Sequence, residues 1–250
     1  MNKYNWLKHS LLLTVVLMIL TANVFSQKLN TDRPDQSDGA GVIEKGKIQL
    51  ESSVYFTVVD ENKRSVVSSN LVRYGLIDNF EVRVLAEQGH HRDLFIEETA
   101  QSQYPLAVSA KWSLLRDKKS LPDISLVGYL QVPVTSGTQS SIWSPAVLLI
   151  VEKQWEPFTL TLNTGARQEA FSKDWDLQAT ADLKFDLGEH WQVFGEYFAQ
   201  FSKVLPFHNV DAGVLYYLNR KWMVHASAGT SLAHHPHNYF INSGFAVQIN

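Results

Sequence analysis

Between Leu177 and Phe201 apolar and polar residues alternate with a period of two, and no other feature of the chain restricts its possible folds as strongly. Leu177, Ala179, Ala181, Leu183, Phe185 and Leu187 occupy the odd positions, with Gln178, Thr180, Asp182, Lys184 and Asp186 between them. A helix repeats every ~3.6 residues, whereas this pattern puts one apolar row on one face of a strand. After Gly188-Glu189-His190, a second row of Trp191, Val193, Gly195, Tyr197 and Ala199 stands against Gln192, Glu196 and Gln200, with Phe194 and Phe198 interrupting the polar face. Two alternating segments around a short turn predict a β-hairpin. Eleven residues at ~3.3 Å each, tilted by about 40°, carry the apolar row over roughly 25 Å, the height of a bilayer's hydrocarbon layer. The hairpin is therefore read as membrane-spanning.

The same alternation recurs along the chain. Twelve segments are expected, at residues 47–59, 65–76, 80–88, 106–115, 124–134, 146–155, 158–168, 177–187, 191–201, 209–218, 222–230 and 239–249. The sixth alternates poorly. The joins after segments two, six, eight and ten are tight, with the one after segment four the longer member of that set; on the other side the joins after segments three, five, seven, nine and eleven are longer than the tight turns, and only the first is short. An even number of strands with short turns at one end and long loops at the other predicts an all-β, antiparallel transmembrane β-barrel, with short periplasmic turns and longer extracellular loops. Both ends of the barrel then fall on the short-turn side. Trp155, Phe158, Trp191 and Trp222 flank the tight turns, where an interfacial aromatic belt is expected.

Lys3 and Lys8 precede an uncharged run from Leu11 to Leu20, and Val24-Phe25-Ser26 follows. This reads as a secretory signal peptide over residues 1–26 with cleavage after Ser26; the apolar run is short for a membrane anchor. Residues 27–46 form a polar leader and residues 47–250 the barrel. Without cysteine there is no disulfide framework and no site for a lipid anchor. The formal net charge is −3, and −5 once the two lysines of the signal peptide are gone. That is too mild to indicate nucleic acid. Aromatics make up 12% of the chain. Mean hydropathy is slightly negative, as expected when lipid-facing and lumen-facing residues alternate.

Thr31-Asp32-Arg33-Pro34-Asp35-Gln36, Lys45-Gly46, Gln49-Leu50-Glu51, Arg73-Tyr74-Gly75-Leu76 and Phe80-Glu81-Val82-Arg83 together carry a resemblance. The chain resembles Bacteroidetes-type members of the transporter family whose name associates it with the meta-pathway of phenol degradation. The resemblance implies an outer-membrane barrel, and two features depart from it. His225 stands where an acidic residue is expected in the penultimate strand, and the chain ends Gln248-Ile249-Asn250 without a terminal aromatic.

With the apolar face toward lipid, Glu51, Arg73, Glu81, Arg83, Lys111, Asn163, Arg167, Asp182, Lys184, Glu196 and Asp211 point inward. Both signs are present in near balance. Charges in a narrow lumen call for partners, so cross-barrel salt bridges are expected, with Arg73, Glu81 and Arg83 facing Glu51 and its neighbours. Two readings share these residues: a structural network filling a small barrel, and a polar path for small solutes.

Other chemistries find less support. Asp32, Asp35 and Asp38 lack the alternating ligand spacing of an EF-hand calcium loop. No Gly-x-Ser-x-Gly elbow exists, and His225 lies among Met223 and Ser227 on an inward face, away from where acyl chains arrive. His90, His91, His208, His234, His235 and His237 fall in the expected long loops, where imidazoles at a mouth would be candidates for zinc, copper or nickel; no carboxylate spacing fixes a site. No cofactor is called for. The expected partners are outer-membrane lipid, the barrel-assembly machinery and a small solute. The reading that follows is a passive transporter or channel for an unidentified small solute. A structural or surface-binding barrel and a lipid-active barrel enzyme are the alternatives.

Overall fold

The computed structural model describes residues 28–33, 36–60, 63–93, 103–118, 120–132, 143–168, 174–202, 206–232 and 238–249. The expected signal peptide and Asp35 lie outside the described residues. The strands are β1 (Ile48–Asp60), β2 (Lys63–Ile77), β3 (Phe80–Asp93), β4 (Gln103–Leu115), β5 (Asp123–Val132) and β6 (Ser144–Trp155). Then come β7 (Phe158–Gln168), β8 (Trp175–Leu187), β9 (Trp191–Phe201), β10 (Phe207–Asn219), β11 (Trp222–Ser231) and β12 (Tyr239–Ile249). Each pairs antiparallel with its chain neighbours, and β1 closes on β12 from Ile48↔Ile249 to Val58↔Tyr239. No edge strand is left, so the ladder satisfies the backbone groups that lipid cannot. The first residue of β1 and the last of β12 meet at the end that carries the tight turns.

Burial is inverted relative to a water-soluble protein. Val72, Val84, Val108, Leu149, Leu162 and Leu183 are exposed on the outside, while Arg73, Arg83 and Lys111 are among the largest fully buried side chains. Trp155, Phe158, Trp191 and Trp222 are exposed beside the tight turns, and Trp143, Trp175, Phe207 and Tyr239 at the opposite rim. Two aromatic girdles thus bound an apolar band, as lipid requires.

The expected strands are present, and the differences lie at their outer ends. The β2/β3 ladder continues to Lys63↔Asp93, past the expected end at Gln88. Beyond the lipid band neither face must be apolar, so alternation ceases to mark the strand although pairing persists. The poorly alternating sixth segment is a full strand paired with both β5 and β7. Two continuous ladders hold it where pattern does not.

Residues 28–33 and 36–46 run inside the barrel. Near the tight-turn end Lys28 Nζ lies 2.5 Å from Asp186 Oδ1, and Leu29 packs with Phe194, Leu215, Tyr217 and Met223. At its far reach, Arg33 donates to Tyr55 Oη and Ser69 Oγ, and the Gln36 amide donates to Glu196. The returning limb packs Ala40 against Val127, Leu148 and Ile150. It places the Ile43 amide 2.8 Å from Glu81 Oε2. A bridge between Lys45 and Gly75 and a left-handed Gly46, φ 79°, then turn the chain into β1.

Candidate functional site

Strands β1 to β4 bring Glu51, Arg73, Glu81, Arg83 and Lys111 to one region of the wall, where the internal loop meets them. Arg73 Nε and Nη2 each lie 2.9 Å from a different Glu81 oxygen, a two-point bond that uses the planar guanidinium. Its Nη1 donates to Glu51 at 2.9 Å. Arg83 turns elsewhere. Instead of meeting Glu51 as the strand order suggests, its Nη1 lies 2.7 Å from Asp32 Oδ2 and its Nη2 3.2 Å from Asp38 Oδ2. The wall's second arginine is therefore neutralised by the loop. Lys111 Nζ donates to both Asp32 oxygens, at 2.7 and 2.9 Å, and to the Gly39 carbonyl at 2.8 Å. The Asp32 carboxylate also accepts from the Gly39 amide. Burial pushes the Asp32 carboxyl up, but Arg73, Lys111 and Arg83 outweigh it and hold the group well below the usual carboxylate range.

The remaining inward residues follow the wall around. Asn163 exchanges hydrogen bonds with the Asp38 backbone, receiving from the amide at 2.7 Å and donating to the carbonyl at 3.0 Å. Glu196 accepts from the Gln36 amide and the Ser37 hydroxyl. Asp182 and Asp211 flank Glu196 directly in the β8/β9/β10 register, and Lys184 Nζ lies 3.3 Å from Asp182. Arg167 joins neither group; it donates to Gln200, which in turn donates to Asp176. Alternation along the strands bears on these strand residues alone; the hydrogen bonds that reach them from Thr31, Asp32, Gln36, Ser37, Asp38, Ala40 and Ile43 are invisible to it. The Thr31-to-Gln36 motif was the available signal: it has little local periodicity to explain its polarity.

His90 and His91 lie in β3 and His208 in β10, rather than in loops, because these ladders extend beyond the lipid band. His208 Nδ1 is 2.7 Å from Tyr197 Oη. His234, His235 and His237 are outside the described residues. Among the described residues no group of three or more His, Cys, Asp or Glu side chains could hold a metal ion. Asp32 pairs with Arg83 and Lys111, and Asp38 with Arg83. His225 Nε2 is 3.2 Å from Ser53 Oγ across the β1/β12/β11 seam, a proximity that sequence separation conceals.

Beyond the Asp32 centre, toward the long-loop end, the lumen retains a cavity of about 370 Å³. Leu71, Leu85, Ala107 and Leu148 give it apolar surface, while Arg33, Gln131 and Arg167 contribute polar groups. Asp32 and Asp38 line it as well.

An inside-out, twelve-stranded antiparallel barrel with a charged interior is the architecture of outer-membrane β-barrels. The sequence profile of the family described as "Putative MetA-pathway of phenol degradation" matches residues 31–249, and the chain belongs to that family. The fold is similar to an outer membrane channel from Pseudomonas putida F1, with a TM-score of 0.69 and 11% identity over 88% of this chain and 100% of that one. It is also similar to the NanC porin, at a TM-score of 0.58 and 7% identity over 80% of this chain and 100% of the porin. The KdgM porin gives 0.56 and 9% over 80% and 99%. No curated protein matches the chain.

Proposed function

We propose that this chain is a passive outer-membrane channel for a small solute, exported with a signal peptide cleaved after Ser26 and inserted by the barrel-assembly machinery. The tight-turn end faces the periplasm and the long loops face outward. The observation that carries the reading is the cavity of about 370 Å³ within the barrel beyond the internal loop. Its mixture of apolar and polar surface suits a small organic solute rather than bulk ions.

Residues 28–46 act as a plug that narrows the lumen on the periplasmic side of this chamber. A second reading, a closed structural barrel, rests on that same plug and its hydrogen bonds to β1 through β7. Liposome swelling separates the two. The channel reading expects solute-dependent swelling that increases when residues 28–46 are deleted. A closed barrel gives none in the full-length protein.

A further inference from the structure

Asp32 belongs to the plug, yet it completes a charge centre built by the wall. Its carboxylate receives Lys111 Nζ on both oxygens and Arg83 Nη1 on one, with donor distances of 2.7 to 2.9 Å. Arg73 Nη1 stands a little farther off, at 3.5 Å. The cations sit on neighbouring strands, in the β2/β3 and β3/β4 ladders, and are fixed by them. Their counterion is on a loop whose backbone is outside those ladders. Without that carboxylate, Lys111 keeps only the Gly39 carbonyl among its hydrogen bonds. Such a convergence of a lysine and a planar guanidinium is a carboxylate-binding geometry.

The centre is also placed where a solute can approach it. Asp32 lines the chamber, which offers Leu71, Leu85 and Leu148 as apolar surface and Arg33 as a further cation, with Asp38 and Glu87 also in its lining. We propose that Arg83 and Lys111 form a binding site for the carboxylate of a small monocarboxylic acid with an apolar tail, which Asp32 fills as an internal stand-in. The incoming carboxylate displaces Asp32, and the tail occupies the chamber. Displacement removes the plug's principal ionic attachment to β3 and β4, so binding loosens the plug. The solute class rests on the channel reading, while occupancy of the site does not.

The first test is rescue of Asp32→Ala in detergent. The substitution removes the carboxylate and leaves room for formate, which should raise the variant's unfolding midpoint by several degrees with a saturable dependence on concentration. Formamide, its neutral counterpart, should not, nor should chloride at equal ionic strength. Wild type, with its site filled, should show no such gain. An equal response to formate and chloride, or equal formate responses in the variant and wild type, overturns the proposal.

If Asp32→Ala does not refold, a thiol introduced by Ser37→Cys reports on the plug in a chain with no native cysteine. Butyrate should raise its maleimide-labelling rate several-fold and butyramide should not; adding Lys111→Gln should abolish the butyrate effect. An unchanged rate with butyrate overturns the proposal by this route. Neither readout depends on conduction, so absent liposome flux would remove the channel reading and leave the anion site to be judged by these results.

Discussion

Arg73 and Arg83 stand directly opposite each other on β2 and β3, and the Asp32 carboxylate lies between them, 3.5 Å from one and 2.7 Å from the other. Like charges at paired positions in an antiparallel ladder repel, and burial in a barrel wall leaves little water to screen them. Glu81 takes up Arg73 through two hydrogen bonds. Arg83 depends on the plug. The internal loop is thus part of what makes this wall tolerable to the strands that build it.

Removing Arg73 should expose that dependence. Arg73→Ala leaves buried Glu81 and Glu51 without the guanidinium that holds both, at an expected cost of about 3–5 kcal/mol. The barrel should lose its compact form on a gel at a lower temperature. Adding Glu81→Ala or Glu51→Ala should recover part of the loss. Strict additivity in the double variants would show that these groups are not coupled. Arg73→Lys should also be destabilising, because an ammonium cannot reproduce the two-point bond to Glu81.

The outer band makes a depth-dependent prediction. Leu183 lies four residues from the end of β8, about 10 Å along the membrane normal at ~3.3 Å per residue and ~40° tilt, whereas Val193 lies about half as deep below Trp191. Arg at Leu183 should cost about 2–4 kcal/mol in a urea refolding titration into lipid vesicles, and Arg at Val193 less. Thr180 points inward, within 2.5 Å of the Ser37 hydroxyl. Arg there should be milder than at Leu183, with its penalty arising from displacement of the plug. Equal costs at all three positions would contradict the assignment of faces.

Wherever lipid forces the faces to differ, the sequence displays the strand: the alternation from Leu177 to Leu187 becomes β8, with Leu183 outside and Asp182 inside. Once the ladder leaves lipid, that constraint ends, which is why β3 continues through His90 and His91 beyond the readable pattern. The charge pairing was concealed by a global balance. Among the residues read as inward, β1 to β4 carry Arg73, Arg83 and Lys111 against Glu51 and Glu81, while β8 to β10 carry Asp182, Glu196 and Asp211 against Lys184. Each side is locally unbalanced in the opposite sense. The plug addresses both, bringing Asp32 and Asp38 to the cationic side and backbone and hydroxyl donors from Gln36 and Ser37 to Glu196. A loop folded back into a lumen leaves no periodic signature.

Asp32 also sets an expectation for pH. It lies in the internal loop, faced by Arg73, Arg83 and Lys111, with its carboxyl held below the ordinary value of 3.8. Because the folded group is depressed, its contribution is fully present above the unfolded value and is lost only as pH falls through the folded one. Lowering pH from about 8 to about 5 should therefore leave the Asp32 attachment intact. Labelling of the Ser37→Cys thiol, compared with that of an unstructured thiol reagent control at each pH, should show no added exposure over this range. A rise in relative exposure before the ordinary carboxylate range would assign the plug's docking to another titrating group.

Gly75 tests whether the plug's return limb needs the close approach seen at the start of β1. The Gly75 amide donates to the Lys47 carbonyl at 3.1 Å, and the Gly75 carbonyl accepts from the Gly46 amide at 2.8 Å. A Cβ on Gly75 would lie 2.1 Å from the Glu44 carbonyl oxygen and 2.8 Å from that of Ile43. Both obstacles are backbone, so no side chain can rotate away. Either the limb moves off β2 or the strand bends, and the Ile43 amide loses its place on Glu81. Gly75→Ala should cost about 1–3 kcal/mol as overpacking and should raise maleimide labelling at Ser37→Cys. Gly195 is the control: it faces outward on β9 with nothing within 4 Å of an added Cβ, and Gly195→Ala should change stability by no more than about 0.5 kcal/mol. If both substitutions are equally silent in unfolding and labelling, the limb is not packed against β2 and the plug is anchored elsewhere.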